Sequence, residues 1–311
     1  MEDVNEQSAP QNEPLASVLI VCYNRKESLR RCLRALDRSN ERGRLDIIVL
    51  DTGSRDGSNT LDVDFPGVTF LRMPRNFGAT KALNIGIRTA KAGLLFLLDP
   101  AIEVLPQTLP KLAELLEQTA DAGGVCPLLA GPDGNTIAQV RNLPDRPVLA
   151  ELWRDPGAIP ASVPQPGQAL TAVEYPGRRA LLVRRSFLKG MNYFDERYGE
   201  FGGDLELAYQ IRHAGKKAYI AAAAPAVDHA ATEPVPDWSA GQRALLAADR
   251  LNGVAHFLGK RAGIVTEWIL RFSAVAATLL RALTFQDPGF NWPLLTALLG
   301  GQKIDGSQSQ L

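Results

Sequence analysis

The first half of the chain alternates short, continuous apolar runs with longer amphipathic ones. "SVLIV" (Ser17–Val21), "DIIVL" (Asp46–Leu50), "VTFLR" (Val68–Arg72) and "LLFLL" (Leu94–Leu98) each have the length of one strand and little polar interruption. That pattern predicts strands buried on both faces rather than strands with one wet side. Between the first two, "RKESLRRCLRALDR" repeats Leu29, Cys32, Leu33 and Leu36 at helical spacing. "ATKALNIGIRTAKA" and "PQTLPKLAELLEQTA" follow the third and fourth runs as further helices. Such alternation predicts an α/β, Rossmann-like fold: a mostly parallel central sheet with flanking helices. Sheets of this kind bind ligands beyond the carboxyl ends of their strands. Tyr23–Asn24, Asp51–Asp56, Arg75–Lys81 and Asp99 all come shortly after an apolar run, so they are expected to meet at one edge.

The alternation breaks after "GGVCPLL". Pro127 to Pro176 holds nine of the chain's 21 prolines, which predicts a long, partly irregular insertion over 127–177. Order returns with a strand over Arg178–Arg185, a helix in "GGDLELAYQIRHAG" ending at Gly215, and a strand in "KKAYIAA". From Ala244 to Phe285 the chain is helical in character, with Ile264, Trp268, Ile269, Phe272, Val275, Ala276, Leu279, Leu280 and Leu283 at helical spacing. Glu267, Arg271 and Arg281 interrupt this run, short of the ~20 uncharged residues a membrane span needs. It reads first as a helix packed on the domain or on a second copy, with an interfacial membrane helix as the alternative. The expected division is a disordered lead-in over 1–15, one domain over 16–232, and a C-terminal helical extension over 233–311.

Composition narrows the function classes. With 34 basic and 34 acidic side chains, net charge gives no steering towards nucleic acid. Cys22, Cys32 and Cys126 are odd in number and form no CxxC pair, which argues against a disulfide framework or structural zinc and for a reducing compartment. "MEDVNEQSAPQNEP" has no apolar core of a signal peptide, so a cytoplasmic protein is expected.

Six segments in sequence order resemble glycosyltransferase family 2, the inverting family with the GT-A fold. They are "SVLIVCYNRKESLRRCLRAL", "IIVLDTGSRDGS", "RNFGATKALNIGI", "LLFLLDPAIEV", "ALLVRRSFLKGMNYFDERYGEFGGDLELAYQIRHAG" and "AVDH". The likeness runs from about Ser17 to His229, and its order and spacing are most similar to the bacterial rhamnosyltransferase-like branch.

The resemblance implies a role for each loop. Tyr23 and Asn24 belong to the nucleotide site. Asp51 accepts a hydrogen bond from the imide N–H of a uracil- or thymine-type base, where the residues alone would also allow a turn cap, the role left to Asp56. Asn76 and Gly78, with Lys81 and Arg75 beside them, approach the diphosphate. Asp99 stands at the start of the family's DxD-type motif, where the first acid contacts ribose and the last holds a divalent cation. Here the last position is Ala101, a methyl with no oxygen to offer Mg²⁺ or Mn²⁺, and that weakens the expectation of a divalent cofactor. Glu103 is not promoted in its place. His229 matches a histidine near the diphosphate, so Asp99 and His229 are the candidate metal ligands. Asp204 is the candidate catalytic base, with helix capping as its alternative role; Gly203 stands where the family has a glutamate.

The implied activity is inverting transfer from a UDP-, dTDP- or GDP-linked sugar to a hydroxyl of a saccharide or lipid-linked acceptor, in bacterial surface polysaccharide or glycolipid synthesis. A non-catalytic nucleotide-sugar-binding or partner subunit of the same fold is the alternative. Membrane-surface contact at the inner face, or a homodimer through the C-terminal helices, are the two uses open to the tail.

Overall fold

The computed structural model describes residues 13–144, 160–165, 167–233 and 238–304. The expected lead-in lies almost wholly outside these residues, as do the middle of the proline-rich segment and the last seven positions.

Four parallel strands form one half of the sheet: β1 (Ala16–Cys22), β2 (Leu45–Asp51), β3 (Thr69–Arg72) and β4 (Leu94–Leu98). They stand in the order β3-β2-β1-β4. Their apolar runs split between two cores by simple alternation. Val18, Ile20 and Cys22 of β1, Ile47 and Val49 of β2, and Phe96 and Leu98 of β4 face one side. Leu19, Ile48, Leu50, Leu95 and Leu97 face the other. On the first side lie α1 (Lys26–Asp37) and α3 (Thr108–Gln118), and Leu29, Cys32, Leu33 and Leu36 of α1 are fully buried there. On the second lies α2 (Ala79–Thr89). Truncating one of these side chains to alanine should cost about 2–5 kcal/mol, because the densely packed layer has no way to close the hole.

The other half of the sheet is mixed. β5 (Ile102–Val104), β6 (Ala122–Ala130) and β7 (Leu170–Val173) precede β8 (Ala180–Arg184) and the long β9 (Lys217–Asp228). β8 runs antiparallel to β4, with Leu98 opposite Ala180. β6 and β9 are parallel, while β5 and β7 pair antiparallel with the two ends of β9. The sequence pattern marks no strand at β5, β6 or β7, and within the proline-rich segment 127–130 and 170–173 are strand.

Two helices flank this half, α4 (Arg185–Gly190) and α5 (Gly203–His213). The tail then forms three helices: α6 (Ala240–Ala262), α7 (Ile264–Leu283) and α8 (Pro288–Leu299). The break falls at Gly263, whose φ of +94° a helix cannot continue. α6 opens with a capping box between Ser239 and Gln242. Leu205 and Ala208 of α5 pack with Val254, Phe257 and Leu258 of α6 and Leu270 of α7, binding the extension to the sheet domain. The three cysteines are free and buried; burial pushes the thiols of Cys22 and Cys126 up to about 12.

Asp249 fastens α6 to two other segments. One carboxylate oxygen accepts the Ile304 N–H at 2.8 Å, and the other accepts those of Glu200 and Phe201 at 3.0 Å. Burial raises this carboxyl from 3.8 to about 7, against the pull of those donors. A folded-state pKa above the unfolded one means that this group's contribution is full at low pH and is lost as pH rises through about 7. Asp249→Asn should lower stability by about 1–3 kcal/mol by leaving a buried N–H unmatched. The melting-temperature gap between wild type and variant should narrow from about pH 5 to about pH 8; a gap that widens would refute the assignment.

Candidate functional site

The register of the parallel strands aligns their carboxyl ends, with Cys22 opposite Asp51, Asp51 opposite Arg72, and Ile20 opposite Leu98. Beyond that edge lies a cleft of about 570 Å³, the size of an ordinary small-molecule site. Leu19, Val21, Leu97 and Leu98 form its apolar floor. Tyr23, Thr52 and Asn76 stand on one wall, and Tyr175, Arg178, Glu200 and Asp204 on another. Arg25, Asp99 and Arg179 line it as well, as do Trp238 just before α6, Leu246, Arg250 and Val254 within it, and Ile304 near the C-terminus.

Tyr23, Asn76, Asp99 and Asp204 are therefore brought together, and the other sequence-expected residues take different places. Asn24, at φ +49°, ties two loops: its N–H donates to Ser54 Oγ, and its side-chain oxygen accepts the Arg55 N–H. Asp51 is 1% exposed at the end of β2. One of its oxygens accepts the Ser54 N–H at 3.2 Å, while the other is buried without a partner. Burial raises this carboxyl, against the Ser54 and Gly53 donors. Lys81 is not in the cleft lining; its Nζ stands 4.7 Å from the Phe77 ring centroid, with Arg75 over the same ring. Gly78, at φ +79°, is close to protein rather than to the cleft, since a Cβ there would come 2.5 Å from Ile304 O and 2.8 Å from Gly199 C.

Asp99 is held on three sides. Arg25 Nη1 donates to Oδ1 at 2.9 Å, the Ala101 N–H donates to the same oxygen at 2.8 Å, and the Asp99 N–H donates to Arg179 O at 2.7 Å. Burial alone would raise its carboxyl; the charges of Arg25 and Arg179 outweigh that and lower it. Arg25 also pairs with Glu233, which takes Arg31 in turn. Arg179 makes a two-pronged pair with Asp228, itself 2% exposed.

The donor set here offers a divalent cation one carboxylate, that of Asp99. Ala101 is fully buried and offers only a methyl. The oxygen of Asp99 nearest that position is taken by two donors. His229, the other expected ligand, has its Nε2 on Glu103 at 2.9 Å, and Glu103 also takes Arg38 at 2.8 Å. Among the described residues no group of three His, Cys, Asp or Glu side chains could hold a metal ion. Asp99 and His229 thus have different partners, Arg25 for Asp99 and Glu103 for His229.

Asp204 enters the cleft from the first turn of α5. Tyr175 Oη donates to its Oδ2, and the Leu205 N–H to its Oδ1 at 3.1 Å. Burial and the neighbouring Asp204 charge push the Tyr175 hydroxyl well above its usual range, so it stays a donor. Tyr175, Arg25, Arg178 and Arg179 went unmarked in the sequence. "RRALLVRR" reads only as a strand until its antiparallel pairing puts Arg179 beside Asp99.

Residues 17–161 match the model of the family described as Glycosyl transferase family 2. The chain carries a glycosyltransferase family 2 domain. The chain is 26% identical over 233 residues to an N-acetylglucosaminyl-diphospho-decaprenol L-rhamnosyltransferase of Mycobacterium tuberculosis, covering 69% of this chain and 76% of that one. An undecaprenyl-phosphate 4-deoxy-4-formamido-L-arabinose transferase of Aeromonas hydrophila is 33% identical over 119 residues, 35% of this glycosyltransferase and 36% of that protein. Among solved structures, the mannosyltransferase PcManGT of Pyrobaculum calidifontis, in complex with GDP-Man and Mn²⁺, superposes with a TM-score of 0.54 at 17% identity, covering 95% of this chain and 88% of that one. GalNAc-T7 with UDP, GalNAc and Mn²⁺ gives 0.57 at 17% identity over 81% of this chain and 51% of that one. These likenesses give the GT-A arrangement of sheet and helices.

Because Gly78 is packed against Gly199 and Ile304, Gly78→Ala should act on the fold. A left-handed alanine with no room for its Cβ costs about 1–3 kcal/mol. The melting temperature should fall and the C-terminal return loosen, read as faster amide exchange at Ile304; an unchanged melting temperature would refute this packing role.

Proposed function

We propose that this glycosyltransferase moves a sugar from a nucleotide-sugar donor to a hydroxyl of a lipid-linked acceptor, with inversion at the anomeric carbon and Asp204 as the base. The observation that carries this reading is the Asp204 carboxylate, which lines a cleft that also holds Asp99, Val21 of β1 and Thr52 just after β2. In the step, the acceptor hydroxyl gives its proton to Asp204. Its oxygen bonds to the anomeric carbon as the bond to the diphosphate oxygen breaks on the opposite face, and the nucleoside diphosphate leaves. Tyr175 fixes one carboxylate oxygen by its hydrogen bond, which aims the other. The unpartnered oxygen of Asp51 suits the imide N–H of a uracil- or thymine-type base, because a buried acceptor without a donor is costly until a ligand supplies one. The name of the mycobacterial relative, with a decaprenol-linked substrate, supports a polyprenyl-linked acceptor in surface glycan assembly.

The exterior of α7 supports work at a membrane surface. Trp268 and Phe272 are 54% and 65% exposed, and Val265, Ile269, Leu280 and Leu283 join them in one stripe about 30 Å long. Residues 238–304 carry seven Lys or Arg against three Asp or Glu, a net of +4 in a chain whose total is zero. Arg250 lines the cleft and Lys260 and Arg261 pair with Glu206, so it is the apolar stripe that matches an acyl layer. No helix among the described residues is long and apolar enough to cross a membrane.

Asp204→Asn should lower transfer by about 10²–10⁴-fold while nucleoside diphosphate affinity stays within about twofold. Turnover at the wild-type rate would remove Asp204 as base. For the tail, wild type should cosediment with vesicles containing anionic phospholipid, and a Trp268→Glu/Phe272→Glu variant should stay in the supernatant while still binding nucleotide. A wild-type dimer that this variant dissolves, with no vesicle binding, would give the stripe to a second copy instead.

A further inference from the structure

We propose that Arg25 and Arg179 are the counter-ions of the donor's diphosphate, and that nucleotide binding in this protein needs no divalent cation. The inference rests on the nucleotide-sugar reading above and adds to it the residues that hold the charged part of the donor.

The two arginines reach the same point from different elements. Arg25 follows the end of β1 and bonds Asp99 Oδ1 at 2.9 Å. Arg179 precedes β8, and its carbonyl accepts the Asp99 N–H at 2.7 Å. Both line the cleft, so two guanidinium groups flank the strand end where a cation would have to sit. The neighbouring residue is Ala101, with no oxygen to recruit one.

Both groups are fixed in place. Asp228 grips Arg179 through two N–H groups, and Arg25 spans Asp99 and Glu233. These bonds take two of the five N–H directions of each guanidinium, and a planar fork held by a carboxylate on one side can meet phosphate oxygens on another. Preorganised charge of this kind does the electrostatic work asked of a cation without having to reorganise when the leaving group departs. The charge balance has the right sign. Arg25, Arg141, Arg178, Arg179 and Arg250 line the cleft against Asp99, Glu200 and Asp204, five against three. Adding Arg31 and the bracing Asp228 and Glu233 leaves six against five. A diphosphate therefore enters a site already positive.

The test is calorimetric titration of UDP, dTDP and GDP into the full-length protein, first in EDTA and then with Mn²⁺. At least one nucleotide should bind in EDTA, with Mn²⁺ changing its affinity by less than about twofold. Arg179→Ala should weaken that binding by about tenfold or more, with Arg179→Lys between the two. Because Arg25→Ala would strand Asp99 and Glu233, Arg25→Lys is the usable partner variant; its melting temperature should stay near wild type while affinity drops. Binding that appears only with Mn²⁺ overturns the proposal and leaves the nucleotide-sugar reading standing. Wild-type affinity in both arginine variants overturns it in the same way. If none of the three nucleotides binds in either condition, both readings fall together.

Discussion

Two-sided burial of β1, β2 and β4 is the constraint from which the rest follows. Each of these strands alternates its side chains between two apolar cores, and neither face has access to water. In the middle of these strands a charged group would have no partner and a large desolvation cost; Asp46, at the amino end of β2, is held by Ser17 and the Lys91 N–H. Polar chemistry is therefore confined to the strand ends, and the parallel register brings those ends to one edge. Asp51 and Asp99 are the carboxylates at the carboxyl ends of β2 and β4. The cleft is the consequence of a sheet that leaves its functional groups nowhere else to stand.

At that edge, charge is managed by pairing. Asp99 is paired with Arg25, Arg25 with Glu233, Arg179 with Asp228, and Arg178 with Glu200. Such chains of alternating charge set geometry more than they add stability, since the cost of desolvating each ion offsets most of the attraction. What they secure is direction: guanidinium planes that cannot swing away. With arginines on these carboxylates, the protein itself offers a hard cation few oxygens, and water and phosphate would have to supply the rest of its shell. Ala101 and the closed Glu103–His229–Arg38 group are then parts of one arrangement rather than separate losses.

The parallel half of the fold was legible because its signals are local. Continuous apolar runs, helical spacing and the acids that follow them are all readable within about ten residues. Tyr23, Asn76, Asp99 and Asp204 reach the cleft as their positions imply. What local pattern could not show is which distant segment lies beside them. Arg179 meets Asp99 only because β8 runs antiparallel to β4, and Tyr175 meets Asp204 across a sequence separation of 29. The same blindness runs the other way. Gly78 has the look of a glycine that lets a phosphate approach, yet its neighbour is the carbonyl of Ile304. Lys81 sits on an aromatic ring instead of in the cleft. In the tail, helical spacing was visible, but spacing alone does not say which face of α7 is covered.

The return of the C-terminal segment links the tail to the site. Trp238 before α6, Leu246, Arg250 and Val254 within it, and Ile304 at its far end all face the cleft. Asp249, in the same helix, ties Ile304 to the 199–201 loop, which supplies Glu200 and leads into the turn carrying Asp204. The helical extension is thus a wall of the site and not an appendage. It also carries the exposed apolar stripe of α7, packed onto α6 through Leu270. Any surface that engages α7 is mechanically one helix away from the cleft. That connection orients the cleft relative to whatever α7 rests on, a geometry that an acceptor anchored in a lipid layer would require.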